Sequence, residues 1–149
     1  MSKRAKTKPE EKILIGLFYT PYLALNSKIY KGLEEAGFTD LRPAQFSVFQ
    51  HIEPEGSRAT EMAERAQITK QSMGYLVEML EKQGYVQQVP DPTDGRARLV
   101  RLTDRGHAVN QVAEEVLQQA ETEWAKKLGK NKMQKLRNML SNLVTEINS

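Results

Sequence analysis

Residues 69–75 read Thr-Lys-Gln-Ser-Met-Gly-Tyr, and residues 94–98 read Asp-Gly-Arg-Ala-Arg. These two stretches place chemically useful side chains at close spacing. A lysine can reach the paired acceptors of guanine, and a glutamine matches the donor and acceptor of adenine. A serine or threonine hydroxyl suits a phosphate or either base. An arginine is favoured in a narrow, strongly negative groove, and a nearby carboxylate can fix the direction of its guanidinium. Asp94 is close enough in sequence to do this for Arg96. The chemistry on offer is therefore recognition of duplex nucleic acid. The same residues would also suit an ordinary solvated helix face and a solvated turn whose surface ion pair is worth under ~1 kcal/mol.

Other chemistries have less to stand on. The chain has no cysteine, which excludes a thiolate nucleophile, a disulfide switch and a thiolate zinc site. Its two histidines, His51 and His107, are far apart in sequence, and no local carboxylate spacing completes a metal site. No nucleophile–base pair and no phosphate-cradling loop appears, and Thr103-Asp104 is better explained as a helix cap. Neither an enzyme nor a cofactor or metal is expected. The formal net charge of +3 permits a nucleic-acid partner without requiring one. Between Ser57 and Gly106 eight cations face seven carboxylates. Any DNA contact must therefore rest on where the cations sit rather than on their surplus.

The lack of cysteine fits a reducing cytoplasm. A basic start (Lys3, Arg4, Lys6, Lys8) followed by an apolar run from Ile13 to Leu25 resembles a secretory leader. Glu10, Glu11 and Lys12 at the boundary and Pro21 within the run argue against that, and the run is too short to span a membrane. No membrane partner is expected.

The elements that must position these side chains can be read from periodicity. Residues 1–8 read as a flexible tail, and Pro9 with Glu10 and Glu11 as the start of a helix. Leu14, Phe18, Tyr22, Leu25, Ile29 and Leu33 form a helical stripe. Pro21 predicts a kink or break near Thr20, and Gly37 an end. Pro43 opens a second helix with Phe46, Phe49 and Ile52 on one face, closed by Pro54 and Gly56. A short third helix runs from about Ala59 to Ala66 with Met62 and Ala63 inward. Thr69 caps a fourth, from about Lys70 to Gln83, whose buried face is Met73, Leu76, Val77 and Leu80 and whose stop is Gly84. Alternation over Tyr85–Val89 and Leu99–Leu102, around a turn-rich stretch from Pro90 to Gly95, predicts a β-hairpin with a long loop. A helix from near Thr103 carries Val109, Val112, Val116, Ala120 and Trp124, and Gly129 ends it. The last helix has an apolar seam of Met133, Leu136, Leu140, Leu143 and Ile147, as narrow as a helix-pairing stripe. That seam must be buried within the chain or against a second copy, and its narrowness favours the second copy.

Two short helices, a tight turn and a hairpin make a winged helix-turn-helix, in which the second helix enters the major groove N-terminal end first. The predicted fold class is mainly α (α+β): a winged helix-turn-helix with a β-hairpin wing, and N- and C-terminal helices forming a dimerisation region. On this reading Thr69, Lys70, Gln71, Ser72, Gly74 and Tyr75 face the bases. Arg58 and Thr60 touch the DNA backbone, and Asp94, Arg96 and Arg98 form the wing.

The stretch Asp91-Pro92-Thr93-Asp94-Gly95-Arg96-Ala97-Arg98-Leu99-Val100-Arg101-Leu102-Thr103-Asp104-Arg105-Gly106 resembles the wing signature of the MarR family of bacterial regulators. Ile68 to Val77 resembles that family's recognition helix, and the order of elements agrees over nearly the whole chain. The resemblance implies one MarR-like domain over residues 1–149, with the DNA-binding region at 57–103 and helical dimerisation segments at 9–36 and 104–149. It implies a homodimer on double-stranded DNA at a palindromic operator, usually as a repressor, with release by a small phenolic or anionic effector. In the family the residues matching Asp94 and Arg96 brace the wing and contact DNA. Leu14, Phe18, Met133, Leu136, Leu140, Leu143 and Ile147 are the expected dimerisation residues. The absence of cysteine departs from the family's thiol-oxidising branch. The readings left open are a sequence-independent architectural DNA protein and a winged helix used only for protein contacts.

Overall fold

A computed structural model describes residues 13–149. Among them the chain is mainly helical, in the order α1 (Leu14–Glu35), α2 (Pro43–Phe49), α3 (Ala59–Ala66), α4 (Lys70–Lys82), β1 (Val86–Asp91), β2 (Asp94–Leu102), α5 (Asp104–Leu128) and α6 (Lys130–Asn148). β1 and β2 pair antiparallel in one two-stranded sheet. The expected tail at 1–8 and the helix start at Pro9, Glu10 and Glu11 lie outside the described residues. The chain divides into two compact units. One is built from the chain up to Gly32 with Glu114–Ser149, the other from Leu33–Ala113.

Leu33–Ala113 holds the interior that carries α4. Phe46, Val48 and Phe49 of α2, Met62 and Ala63 of α3, and Met73, Val77 and Leu80 of α4 are buried together with Tyr85, Val86 and Val100 from the hairpin. Phe46 stacks on Phe49, and Phe49 meets the edge of Tyr85. The buried residues of α4 recur at three- and four-residue spacing, so the opposite face is left outward. Leu76, expected on the buried face, is only half-buried. It lies at the border of the stripe, between Met73 and Leu80. α2 stops at Phe49, earlier than Pro54 and Gly56 suggest, and Ile52 lies beyond it.

Local signals fix the ends of α4. The Thr69 side chain accepts from the Ser72 backbone N–H at 3.0 Å. At the other end Gly84 has φ +83°, and its N–H and that of Tyr85 donate back to Glu81 and Leu80. This left-handed C-terminal closure favours glycine.

Two expectations change. Pro21 sits inside an unbroken α1. Proline removes one backbone donor, and the helical stripe continues in register on both sides of it, so the remaining turns carry the helix through. The hairpin loop is not long. β1 reaches Asp91, β2 starts at Asp94, and only Pro92 and Thr93 lie between them. Pro90 pairs with Arg98 and Asp91 with Asp94, so the register slips there in a bulge on the β2 side.

In the other unit Ile29 and Ala120 are buried, while α6 buries none of its residues. Arg137 of α6 donates to Glu121 of α5 at 2.9 Å, and Lys28 of α1 to Glu123 at 3.4 Å. The first half of the α1 stripe is open: Leu14 is 66% and Phe18 42% exposed. No described helix is long and apolar enough to cross a membrane.

Candidate nucleic-acid interface

Lys70, Gln71, Ser72, Gly74 and Tyr75 are all exposed on the N-terminal half of α4, with Thr69 at its cap. Thr69 Oγ1 also donates to Ser72 Oγ at 2.8 Å. The first turn of the helix therefore presents its polar side chains from a fixed backbone. α3 packs against α4, and Thr60 is exposed in its first turn. Arg96 and Arg98 are exposed on β2, and Arg96 lies in the bulged tip of the hairpin.

The bracing of the wing differs from the sequence expectation. Asp94 does not hold the Arg96 guanidinium; its Oδ1 accepts from the Arg96 backbone N–H at 3.1 Å. The brace is Asp91, 7% exposed. Its Oδ1 accepts from the Thr93 N–H at 2.9 Å and from the Thr93 hydroxyl at 2.7 Å. Its Oδ2 accepts from Arg58 Nε at 2.9 Å and Nη2 at 2.7 Å. Arg58, assigned from sequence to the DNA backbone, is thus turned into the wing base, with Asp94 3.9 Å away as a second anion. Ser57, next to it, exchanges two backbone hydrogen bonds with Val100 of β2 at 3.1 and 2.8 Å. Its hydroxyl accepts from the Glu53 N–H. The wing is therefore fastened to the N-terminus of α3 by backbone pairing and by an ion pair side by side.

A second cluster holds the base of the hairpin. The buried Tyr85 hydroxyl donates to Asp40, and Arg105 donates to that hydroxyl at 3.0 Å while lying 4.5 Å from the ring centroid. Gln83 donates to the Asp40 carbonyl and accepts from Gln45. Burial first, then the hydrogen bond to the Asp40 carboxylate, push the Tyr85 phenol up to about 12, so it stays a neutral donor. Among the described residues no group of histidine and carboxylate side chains could hold a metal ion.

Residues 39–97, which span α2, the helix-turn-helix and the hairpin tip, match the sequence model of the MarR family. That segment is a winged helix similar to those of the MarR family. Solved structures share the fold over most of the chain. The transcriptional regulator Tm0710 from Thermotoga maritima is 28% identical, with TM-score 0.63, covering 89% of this chain and 93% of that one. The transcriptional repressor CouR, solved on a 23-mer DNA duplex, is 23% identical with TM-score 0.70, covering 95% and 99%. Wild-type apo MarR from E. coli is 23% identical with TM-score 0.69, covering 89% and 97%. No curated protein sequence matches the chain significantly.

In this wing the Asp91 carboxyl is held at about 2, by the two Thr93 hydrogen bonds first and by Arg58 after them. A carboxyl lowered in the folded state stabilises the fold fully above its ordinary value of 3.8, and that contribution is lost as pH falls from there towards about 2. Asp91→Asn should therefore flatten the acid limb of the stability–pH profile in that window and lower stability at neutral pH. Thermal unfolding from pH 2 to 7 checks this, and a variant whose profile overlays the parent's would refute the brace. Sequence reasoning took Asp91 and Thr93 only as turn formers. The available signal was their Asp-x-Thr spacing, at which the first side chain accepts from the backbone two residues on.

Proposed function

We propose that this protein is a dimeric MarR-family regulator that binds double-stranded DNA sequence-specifically. It represses from a palindromic operator and is released by a small phenolic or anionic effector. The observation that carries the reading is the pairing of an exposed, capped polar end on α4 with an arginine-bearing wing braced to the same scaffold. Lys70, Gln71, Ser72 and Tyr75 read bases or clamp phosphates in the major groove. Thr60 touches the backbone, and Arg96 and Arg98 enter or straddle the minor groove. Arg58 acts by holding the wing. The DNA-bound CouR structure supports this use of the fold.

The dimer is supported by what one chain leaves uncovered. Leu136, Leu140, Leu143 and Ile147 of α6 and Leu14 and Phe18 of α1 are exposed. Met133, in the same seam, is half-buried. An apolar surface of this extent marks an interface. Two winged helices related by a two-fold axis then occupy successive major grooves, about one helical turn apart. An effector acts by its differential affinity for dimer geometries that do and do not match that spacing. The near-balanced charge of residues 57–106 weighs against a purely electrostatic, architectural binder, which would need a cationic surplus.

Selection of duplexes from a random pool by the purified protein tests the reading. A palindrome is expected, and enrichment of no sequence would overturn it in favour of the architectural alternative. On the selected operator, Gln71→Ala should cost roughly 1–3 kcal/mol, concentrated at one position of each half-site. Arg96→Ala should weaken binding to all sequences and flatten the salt dependence by about one unit of slope. Wild-type affinity in both variants would refute the assignment of the two reading elements.

A further inference from the structure

Gly74 is a glycine that the fold does not need. It lies in the middle of α4 with ordinary helical backbone, and it is exposed. A Cβ built there would meet nothing within 4 Å. Gly106 is different, because a Cβ there would lie 2.2 Å from a backbone oxygen. A glycine inside a helix is unfavourable relative to alanine because it surrenders more backbone freedom on folding. No contact within the described chain offsets that loss at Gly74.

The position explains the choice. On a helix, residues three and four apart share a face. Lys70 and Gln71 lie one turn before Gly74, Glu78 one turn after, and Tyr75, 63% exposed, beside it. Glu78 is engaged with Lys82 at 3.4 Å. The missing side chain leaves a notch in the outward face, between Lys70 and Gln71 on one side and Glu78 on the other.

We propose that Gly74 is the point where α4 comes closest to the base edges of the major groove, the notch letting the helix seat deeper than any side chain there would permit. The inference rests on the DNA-recognition reading above and deepens it. It makes residue 74 a specificity determinant through the contact it leaves room for. A deeper seat brings Gln71 and Lys70 within reach of base atoms, whereas phosphate contacts, made from the flanks of the helix and from the wing, depend less on depth.

The experiment compares Gly74→Ala with the parent in three measurements. Thermal unfolding should rise by about 2–4 °C, as expected for removing a helix-interior glycine from a chain of this size. Affinity for the selected operator should fall by about ten- to a hundredfold, the scale of one well-made base contact. Affinity for random duplex of the same length should stay within about twofold, because that binding is set by phosphate charge. Unchanged operator affinity, or an equal loss on operator and random DNA, would overturn the inference while leaving the DNA reading intact. A parent that selects no sequence would overturn both. A fall in melting temperature would also count against the inference, because it would show that the fold itself requires the glycine.

Discussion

Leu80→Ala should lower the unfolding free energy by about 2–5 kcal/mol. Leu80 has no exposed surface and stands at the C-terminal end of the buried stripe Met73–Val77–Leu80. Its backbone carbonyl accepts from Tyr85 at the start of the hairpin. Truncation removes three carbons from an interior shared by α2, α3 and α4, and helices held at both ends collapse only partly around the void. Against a total stability of about 5–15 kcal/mol for a domain, the effect is a large fraction. Urea unfolding checks it: the midpoint should drop with an unchanged slope. A loss below ~1 kcal/mol would mean that α4 is not anchored through this stripe. The outward face is untouched, so protein that remains folded should keep the parent's preference among DNA sequences.

Gly106→Ala comes next. Gly106 lies in the first turn of α5, where its N–H donates to Thr103 Oγ1. A Cβ there would sit 2.2 Å from the Tyr85 carbonyl oxygen and 3.1 and 3.3 Å from the Leu102 side chain. Leucine atoms can shift by a few tenths of an ångström, but a backbone oxygen cannot move without the strand. The start of α5 must therefore lift away from the hairpin, straining the Thr103 Oγ1 to Gly84 carbonyl bond and the Arg105–Tyr85 contact. Overpacking of this kind costs about 1–3 kcal/mol, read as a fall of about 2–4 °C in melting temperature per kcal/mol. Gly95→Ala, at the hairpin tip with nothing within 4 Å, is the control and should leave stability nearly unchanged. A Gly106 variant that melts with the parent would refute the close approach.

What could be read in advance was what is encoded locally. α4 was legible to within a residue because its stripe, the Thr69 cap and the Gly84 stop all lie within sixteen residues and agree. α3 was legible for the same reason. The errors share a cause too. Pro21 is a local breaker overruled by the helix on either side. Pro90 and Asp91 look like part of a loop, yet pairing with β2 extends β1 through both of them. The brace was assigned to Asp94 because it neighbours Arg96, but the partner that matters, Arg58, lies thirty-three residues from Asp91. No sequence window joins them; the Ser57–Val100 bridge does. The outward side chains of α4 and the wing arginines were identifiable by type. Which carboxylate holds the wing was a tertiary fact.

α6 buries none of its residues within one chain, and on the dimer reading proposed above that ties the protein's integrity to its own abundance. With a second copy as the cover, the stability of the helix is a mass-action quantity that rises with the logarithm of protomer concentration. Dilution would strip away the pairing before it touched the core around Leu80. A cell holding few copies would then have intact reading heads but few matched pairs of them, and occupancy of a two-fold site would grow more steeply than the protein's level. On the proposed dimeric reading, DNA occupancy would carry a built-in threshold, set by how much apolar surface one chain leaves for the other to hide.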